Sequence, residues 1–200
     1  MTSRIDYYMT PVSPYAWLGH ARLRQLAEAH GAEIHLRVMD LAKVFPVSGG
    51  VPLKDRAPQR RAYRLLELER WRAYLGVRMN LEPKYFPVPS QPAATVILAV
   101  LERHGTDTAL DVAGDLMRAV WAEDRNIADA TTLAEILAAR SLDAGPLLMH
   151  ATSAEVEATY EEHTALAIAA GVFGAPSYVV DGELFWGQDR LEFVERKLAG

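Results

Sequence analysis

Val12-Ser13-Pro14-Tyr15-Ala16-Trp17 follows closely on a short apolar run, Ile5-Asp6-Tyr7-Tyr8-Met9, and opens a helix. Ser13 is a residue type favoured at a helix N-cap, and Pro14 then takes the first helical position, where its missing N–H costs nothing. A hydroxyl at that spot lies beside unpaired backbone N–H groups and the positive end of the helix dipole. Far along the chain, Gly174-Ala175-Pro176-Ser177 stands before another strand-forming stretch. A strand, a helix with a polar group at its N-terminus, and a distant proline before a strand set the expectations for everything between them.

Working outward, Ile5 to Met9 is rich in β-formers and ends before Pro11, so it reads as a buried strand. The helix runs from Pro14 to about His30, with Gly31 in the C′ position. Glu33-Ile34-His35-Leu36-Arg37-Val38 alternates polar and apolar residues, the mark of a half-buried strand. A right-handed crossover makes these two strands parallel. The α/β rhythm then stops. Residues 41 to 53 read as loop, broken by Pro46, Gly49-Gly50 and Pro52. Pro58–Leu75, Ala93–His104, Thr108–Ala122, Thr131–Arg140 and Ser153–Ala170 read as helices, with Thr131 and Ser153 among their caps.

Past Pro176 the β signal returns. Ser177-Tyr178-Val179-Val180 and Glu183-Leu184-Phe185-Trp186 flank Asp181-Gly182, a hairpin turn. A final helix starts near Asp189, with Asp189-x-x-Glu192 in the spacing of a capping box and Leu191, Val194 and Leu198 as its apolar stripe. The order is β-α-β, helices, β-β-α: an α/β thioredoxin-like fold with a large all-helical insertion. Residues 1–41 and 171–200 form the thioredoxin-like domain, and residues 42–170 the inserted helical domain.

Composition bounds the function. A chain of 200 residues supports one good-sized domain or a domain with an insertion. Its formal net charge of −5 gives no reason to expect nucleic acid as a partner. No apolar run approaches the ~20 residues that cross a membrane, and the opening residues hold no signal-peptide core, so a cytoplasmic protein is expected. The chain has no cysteine, which removes disulfides and any protein thiol–disulfide exchange. The six histidines are scattered without metal-ligand spacing, so no metal site is expected.

Four places carry candidate chemistry. The Ser13 hydroxyl is either a cap or a donor to a thiolate, which a ligand must bring because the chain has none. Ala175, before Pro176, offers a backbone to an extended, peptide-like ligand if the Pro176 bond is cis. Gln188, Asp189 and Arg190 suit the charged ends of such a ligand. Lys54, Arg56, Arg60, Arg61 and Arg64 are a basic cluster in an acidic protein, whereas Glu67–Arg70 and Glu69–Arg72 are spaced to pair along a solvated helix face. Tyr15 and Trp17 are the candidates for a pocket wall.

Ser13-Pro14-Tyr15, Gly49-Gly50-Val51-Pro52-Leu53-Lys54, and Gly171-Val172-Phe173-Gly174-Ala175-Pro176 through Trp186-Gly187-Gln188-Asp189-Arg190-Leu191 resemble the 2-hydroxychromene-2-carboxylate isomerases, relatives of the kappa-class glutathione transferases. The resemblance covers nearly the whole chain and implies glutathione as cofactor. It assigns Ser13 to the glutathione sulfur, Ala175 and Pro176 to the cysteinyl backbone, and Asp189 and Arg190, with Gln188 beside them, to the γ-glutamyl end. It further implies reversible addition of a glutathione thiolate to a small conjugated aromatic acid, with Lys54 or a nearby arginine on a carboxylate, and a homodimer. Gln188 stands where that family commonly has a shorter side chain. Two alternatives accompany the isomerase: a kappa-like glutathione transferase, and a non-catalytic thioredoxin-like binding protein in which Ser13 only caps.

Overall fold

A computed structural model describes residues 3–200; Met1 and Thr2 lie outside the described residues. Four strands, β1 (Arg4–Met9), β2 (Glu33–Val38), β3 (Ser177–Val180) and β4 (Glu183–Trp186), form one sheet in the order β2-β1-β3-β4. β1 pairs parallel with β2 and antiparallel with β3, and β3 pairs antiparallel with β4. Helix α1 (Pro14–His30) makes the parallel crossover, and α8 (Leu191–Ala199) follows the hairpin. This is the thioredoxin-like arrangement expected from the sequence.

β1 is internal to the sheet and packed on both faces, which is why apolar residues dominate it, interrupted by Asp6. Ile5, Tyr7 and Met9 join the main core with Leu23 of α1, while Tyr8, on the other face, packs with Met39, Val44, Ala167 and Val172. Tyr7 stacks on Tyr178 of β3, ring centroids 5.6 Å apart.

Between β2 and β3 the described elements are helical: α2 (Leu41–Ser48), α3 (Pro58–Leu75), α4 (Gln91–Trp121), α5 (Ala130–Ala139), α6 (Ala144–His150) and α7 (Ala154–Ala169), with a 3₁₀ turn at Leu53–Asp55. α4 is the main buttress, burying Ile97, Leu98 and Leu116 in the same core as the sheet. It breaks at Gly105, φ 81° and ψ 177°, between the two helices expected from the sequence.

One element expectation is corrected. Residues 41–48 are a helix, not a loop: the Asp40 side chain caps it by accepting from the Ala42 N–H at 2.8 Å, and burial of Val44 against the second core outweighs the internal Pro46. Residues 144–150 add a helix that the sequence reading does not mark, where Pro146 falls in the first turn and forfeits no hydrogen bond. Among the caps, Ser153 accepts from Val156 as expected, but Asp129 caps α5 in place of Thr131.

Two buried histidines make stability pH-dependent. His20 donates Nε2–H to the Leu110 carbonyl at 2.9 Å and faces the Tyr7 hydroxyl at 3.4 Å. His163 faces the Arg37 guanidinium at 3.2 Å. Burial, helped at His163 by Arg37, pushes both down from 6.5 to about 4. Between those values the unfolded chain binds more protons than the folded one. Stability attributable to these rings is therefore complete above pH 6.5 and is lost as pH falls toward 4. Each contributes a slope of up to about 1.4 kcal/mol per pH unit. Urea unfolding from pH 6.5 down to 4.5 should show a flatter stability profile for His163→Asn than for the wild type, and equal slopes would refute this assignment.

Candidate functional site

Three backbone segments converge at the N-terminus of α1. In the first, the Ser13 N–H donates to the Thr10 carbonyl at 3.1 Å, turning the chain from β1 into the helix. Ser13 is extended, φ −79° and ψ 121°, and its Oγ accepts the Ala16 N–H at 3.1 Å, so the expected cap is real. In the second, the Ala175–Pro176 peptide is cis. Ala175 stands just outside the β3 ladder, which begins at Ser177, so its backbone is not consumed by the sheet. In the third, the Gly187 N–H donates to the Pro176 carbonyl at 2.9 Å, which pins the turn after β4 to the proline.

The Ser13 Oγ–H donates to the Ala175 carbonyl at 3.0 Å. One hydroxyl thus accepts from the helix and donates to the segment before the cis proline, across 162 residues of sequence. Ser13 is buried, 6 % exposed.

The third segment departs from its sequence reading. Asp189 belongs to a 3₁₀ turn, Gln188–Arg190, and α8 begins at Leu191 without a side-chain cap. No capping box forms. The Asp189 carboxylate instead folds back over Gly187, whose φ of +105° calls for glycine. Asp189 and Arg190 are exposed and face each other at 3.4 Å.

Gln188 is corrected outright as a ligand contact. Its side chain is 1 % exposed and its Oε1 accepts from Arg22 Nη1 of α1 at 2.8 Å, while its carbonyl accepts from the same nitrogen at 3.3 Å. The longer side chain reaches inward, beneath α1, and anchors the turn that presents Asp189 and Arg190. Sequence reasoning missed Arg22 because its partner is distant in the chain.

Tyr15, on the first turn of α1, is half-buried, and burial raises its phenol while Arg64 and Arg56 oppose the rise. Trp17 has its indole N–H directed at the Arg78 carbonyl at 3.4 Å, leaving its ring, not its N–H, to line a pocket. Lys54 is exposed on the 3₁₀ turn, while Arg56 donates to the Val51 carbonyl at 2.8 Å. The pairs expected along α3 form, Glu67–Arg70 at 2.7 Å and Glu69–Arg72 at 3.8 Å. Two aromatic groups were not foreseen: Phe86 beside Trp121, and Phe173 beside the half-exposed Trp186, whose indole covers Gly174 next to the cis peptide.

Among the described residues, Glu102, His150 and Glu155 bring potential metal-ligand atoms within 4.8 Å. His150 Nε2 is already bonded to Glu102 Oε2 at 2.7 Å and Thr159 donates to Glu102 Oε1, so these groups already satisfy one another. No helix of the described residues is long and apolar enough to cross a membrane.

With this geometry in place, the comparison with known proteins is informative. The profile of the DSBA-like thioredoxin domain matches residues 4–199. The chain belongs to the DSBA-like thioredoxin family. Within that family it is 30 % identical to the 2-hydroxychromene-2-carboxylate isomerase of Sphingobium xenophagum, over 99 % of both chains. It is 26 % identical to the rat (Rattus norvegicus) glutathione S-transferase kappa 1, over 95 % of this chain and 88 % of the relative. A solved 2-hydroxychromene-2-carboxylate isomerase superposes with a TM-score of 0.85 at 25 % identity, covering 98 % of this chain and 94 % of that one. This DSBA-like chain therefore sits with the isomerase and kappa relatives along its whole length, and it lacks the cysteine that disulfide chemistry requires.

The packing of α1 on the Gln188 turn gives a test. A methyl group at Gly19 would come within 2.8 Å of Gln188 Cβ and 2.9 Å of the Tyr178 hydroxyl. Gly19→Ala gains up to about 1 kcal/mol of helix propensity but overpacks a buried contact at a cost of about 1–3 kcal/mol. A net loss of stability in denaturant unfolding is expected; a stabilised variant would show that the contact is loose.

Proposed function

We propose that this protein is a glutathione-dependent isomerase of a conjugated aromatic acid of the 2-hydroxychromene-2-carboxylate type. The observation that carries the reading is the Ser13 hydroxyl, held between the Ala16 N–H and the Ala175 carbonyl beside a cis proline. The full-length kinship with isomerases and with a glutathione transferase supports it.

The residues fit glutathione on their own chemistry. Ala175, outside the β3 ladder, would pair with the cysteinyl backbone, and Pro176, as the cis residue, keeps that edge open. Asp189 would take the ammonium of the γ-glutamyl end, with Arg190 at its carboxylate. Tyr15 and the ring of Trp17 would wall the substrate pocket. Bound there, glutathione supplies a thiolate able to add reversibly to an electrophilic carbon, which turns a stiff double bond into a rotatable single one before the thiol is expelled.

Ser13 does the activating work. Its oxygen accepts a helix N–H, which fixes its position and strengthens it as a donor. On ligand binding its proton would turn from the Ala175 carbonyl to the sulfur. That exchanges a neutral hydrogen bond for a charge-assisted one, roughly twice as strong. The donor and the helix N-terminus together lower a thiol from near ~8.5 toward neutrality. The turn is small, because acceptor and donor functions belong to one hydroxyl already at the right place.

The kappa relative at 26 % identity favours one other outcome, a transferase that releases the conjugate. Product analysis separates it from the isomerase, since both share the same thiol site.

Ultraviolet titration of thiolate absorbance against pH, with glutathione added to the protein, tests the proposal directly. A bound thiol with its pKa drawn toward neutrality is expected, and Ser13→Ala should abolish the shift and lower activity by roughly a hundredfold or more. A Ser13→Ala variant that loses only about 1 kcal/mol of stability, with thiolate and activity intact, would leave Ser13 as a cap and overturn the reading.

A further inference from the structure

The cations of the basic cluster are not equivalent. Lys54, Arg60 and Arg61 are exposed. Arg56 is tied to a backbone carbonyl, and Arg70 and Arg72 to carboxylates of their own helix. Arg64 differs from all of them. It is half-buried on α3, its guanidinium 5.4 Å from the Phe86 ring centroid and 5.8 Å from that of Trp121. Those two rings pack with centroids 4.8 Å apart, and Trp121 is fully buried, so the guanidinium rests on a rigid aromatic floor.

Among the described residues Arg64 forms no ion pair with a carboxylate, and Tyr15 and Arg56 are the titratable groups that act on it. Burial drives its pKa below the ordinary arginine value, and Arg56 adds to this. A cation withdrawn from water without an anion is costly. Stacking on aromatic rings recovers part of that cost and leaves the planar edge of the guanidinium, with its paired N–H donors, for a carboxylate. α3 packs against α1, which brings Arg64 to Tyr15, two residues from Ser13.

We infer that Arg64 is the anchor for the carboxylate of the aromatic acid, with Phe86 and Tyr15 flanking it, and that Lys54 is not. This rests on the isomerase reading for the identity of the substrate. A glutathione carboxylate has the same chemistry, but three aromatic side chains around one cation suit an aromatic acid better than a peptide end. Arg64 is thus a binding and positioning residue: it fixes where the acid lies relative to the sulfur held at Ser13.

Calorimetric titration with trans-2-hydroxycinnamate and with its methyl ester, with and without glutathione present, tests the assignment. The wild type should prefer the acid by about ten- to hundredfold, the worth of one charged hydrogen-bonded contact. Arg64→Gln and Arg64→Met, the second keeping apolar packing over Phe86, should both erase the preference while leaving glutathione affinity unchanged. Lys54→Gln should keep it. Arg64→Lys should restore it only in part, because an ammonium lacks the fork. An acid preference that survives in the folded Arg64 variants overturns the proposal, as does its absence in the wild type. A fall in glutathione affinity with the acid preference intact would reassign Arg64 to glutathione and equally overturn it. The arm without glutathione reads the anchor even if the thiolate titration fails, so the two readings fail separately.

Discussion

The structure turns on one hydroxyl that bridges two distant parts of the chain. Ser13 Oγ accepts the Ala16 N–H at 3.1 Å and donates to the Ala175 carbonyl at 3.0 Å. The first bond sets the start of α1; the second ties that start to the loop before β3. The Gly187 N–H on the Pro176 carbonyl then carries the tie to the turn after β4. Three short links thus hold the Ser13 hydroxyl, the Ala175 segment and one charged turn in fixed relation. A candidate ligand site built this way would need no loop closure to assemble. Its geometry is already that of the sheet and the helix end.

α1 is the element on which these links depend. Ser13 caps it and its first turn carries Tyr15, while farther along Gly19 allows the Gln188 turn to approach and Arg22 holds that turn by two hydrogen bonds. His20, one residue beyond Gly19, bonds Leu110 of α4 and faces Tyr7 of β1. The helix is therefore fastened on several sides by buried polar contacts whose loss would leave unsatisfied groups. Such contacts specify position more than they add stability. That is what a helix needs when the chemistry sits at its end.

Much of this could be read from residues alone, for a physical reason. Strand alternation, the Ser13-Pro14 start, the Asp181-Gly182 hairpin and the glycine stops are local signals, and local signals survive in a single sequence. Residues 41–48 read as loop because Pro46 and Gly49 look like breakers; what decides is Asp40 as a cap and burial of Val44. In the site, Ser13 and the cis Ala175–Pro176 edge were legible because each has its own local motif. Gln188 was misread because its partner, Arg22, lies 166 positions away. Asp189 was misread as a cap because its spacing to Glu192 fits one, yet a 3₁₀ turn intervenes. Arg64 could be listed with its cluster but not distinguished from it, since only packing against Phe86 and Trp121 sets it apart.

The absence of cysteine divides the labour between the two parts of the molecule. On the proposed reading the thiol comes from the ligand, since the chain has no cysteine, and the elements at that end (Ser13, the Ala175 edge, Asp189 and Arg190) would hold it. They contribute little that would tell one electrophile from another. Discrimination must come from what faces them, and the helices between β2 and β3 contribute the Phe86–Trp121 pair with Arg64 upon it. On the isomerase reading proposed above, thiol activation would be set by the α/β elements and substrate choice by the helical ones. A change of substrate in this lineage would be written in α3, in the loop carrying Phe86 and at the end of α4, with the Ser13 bridge left as it is.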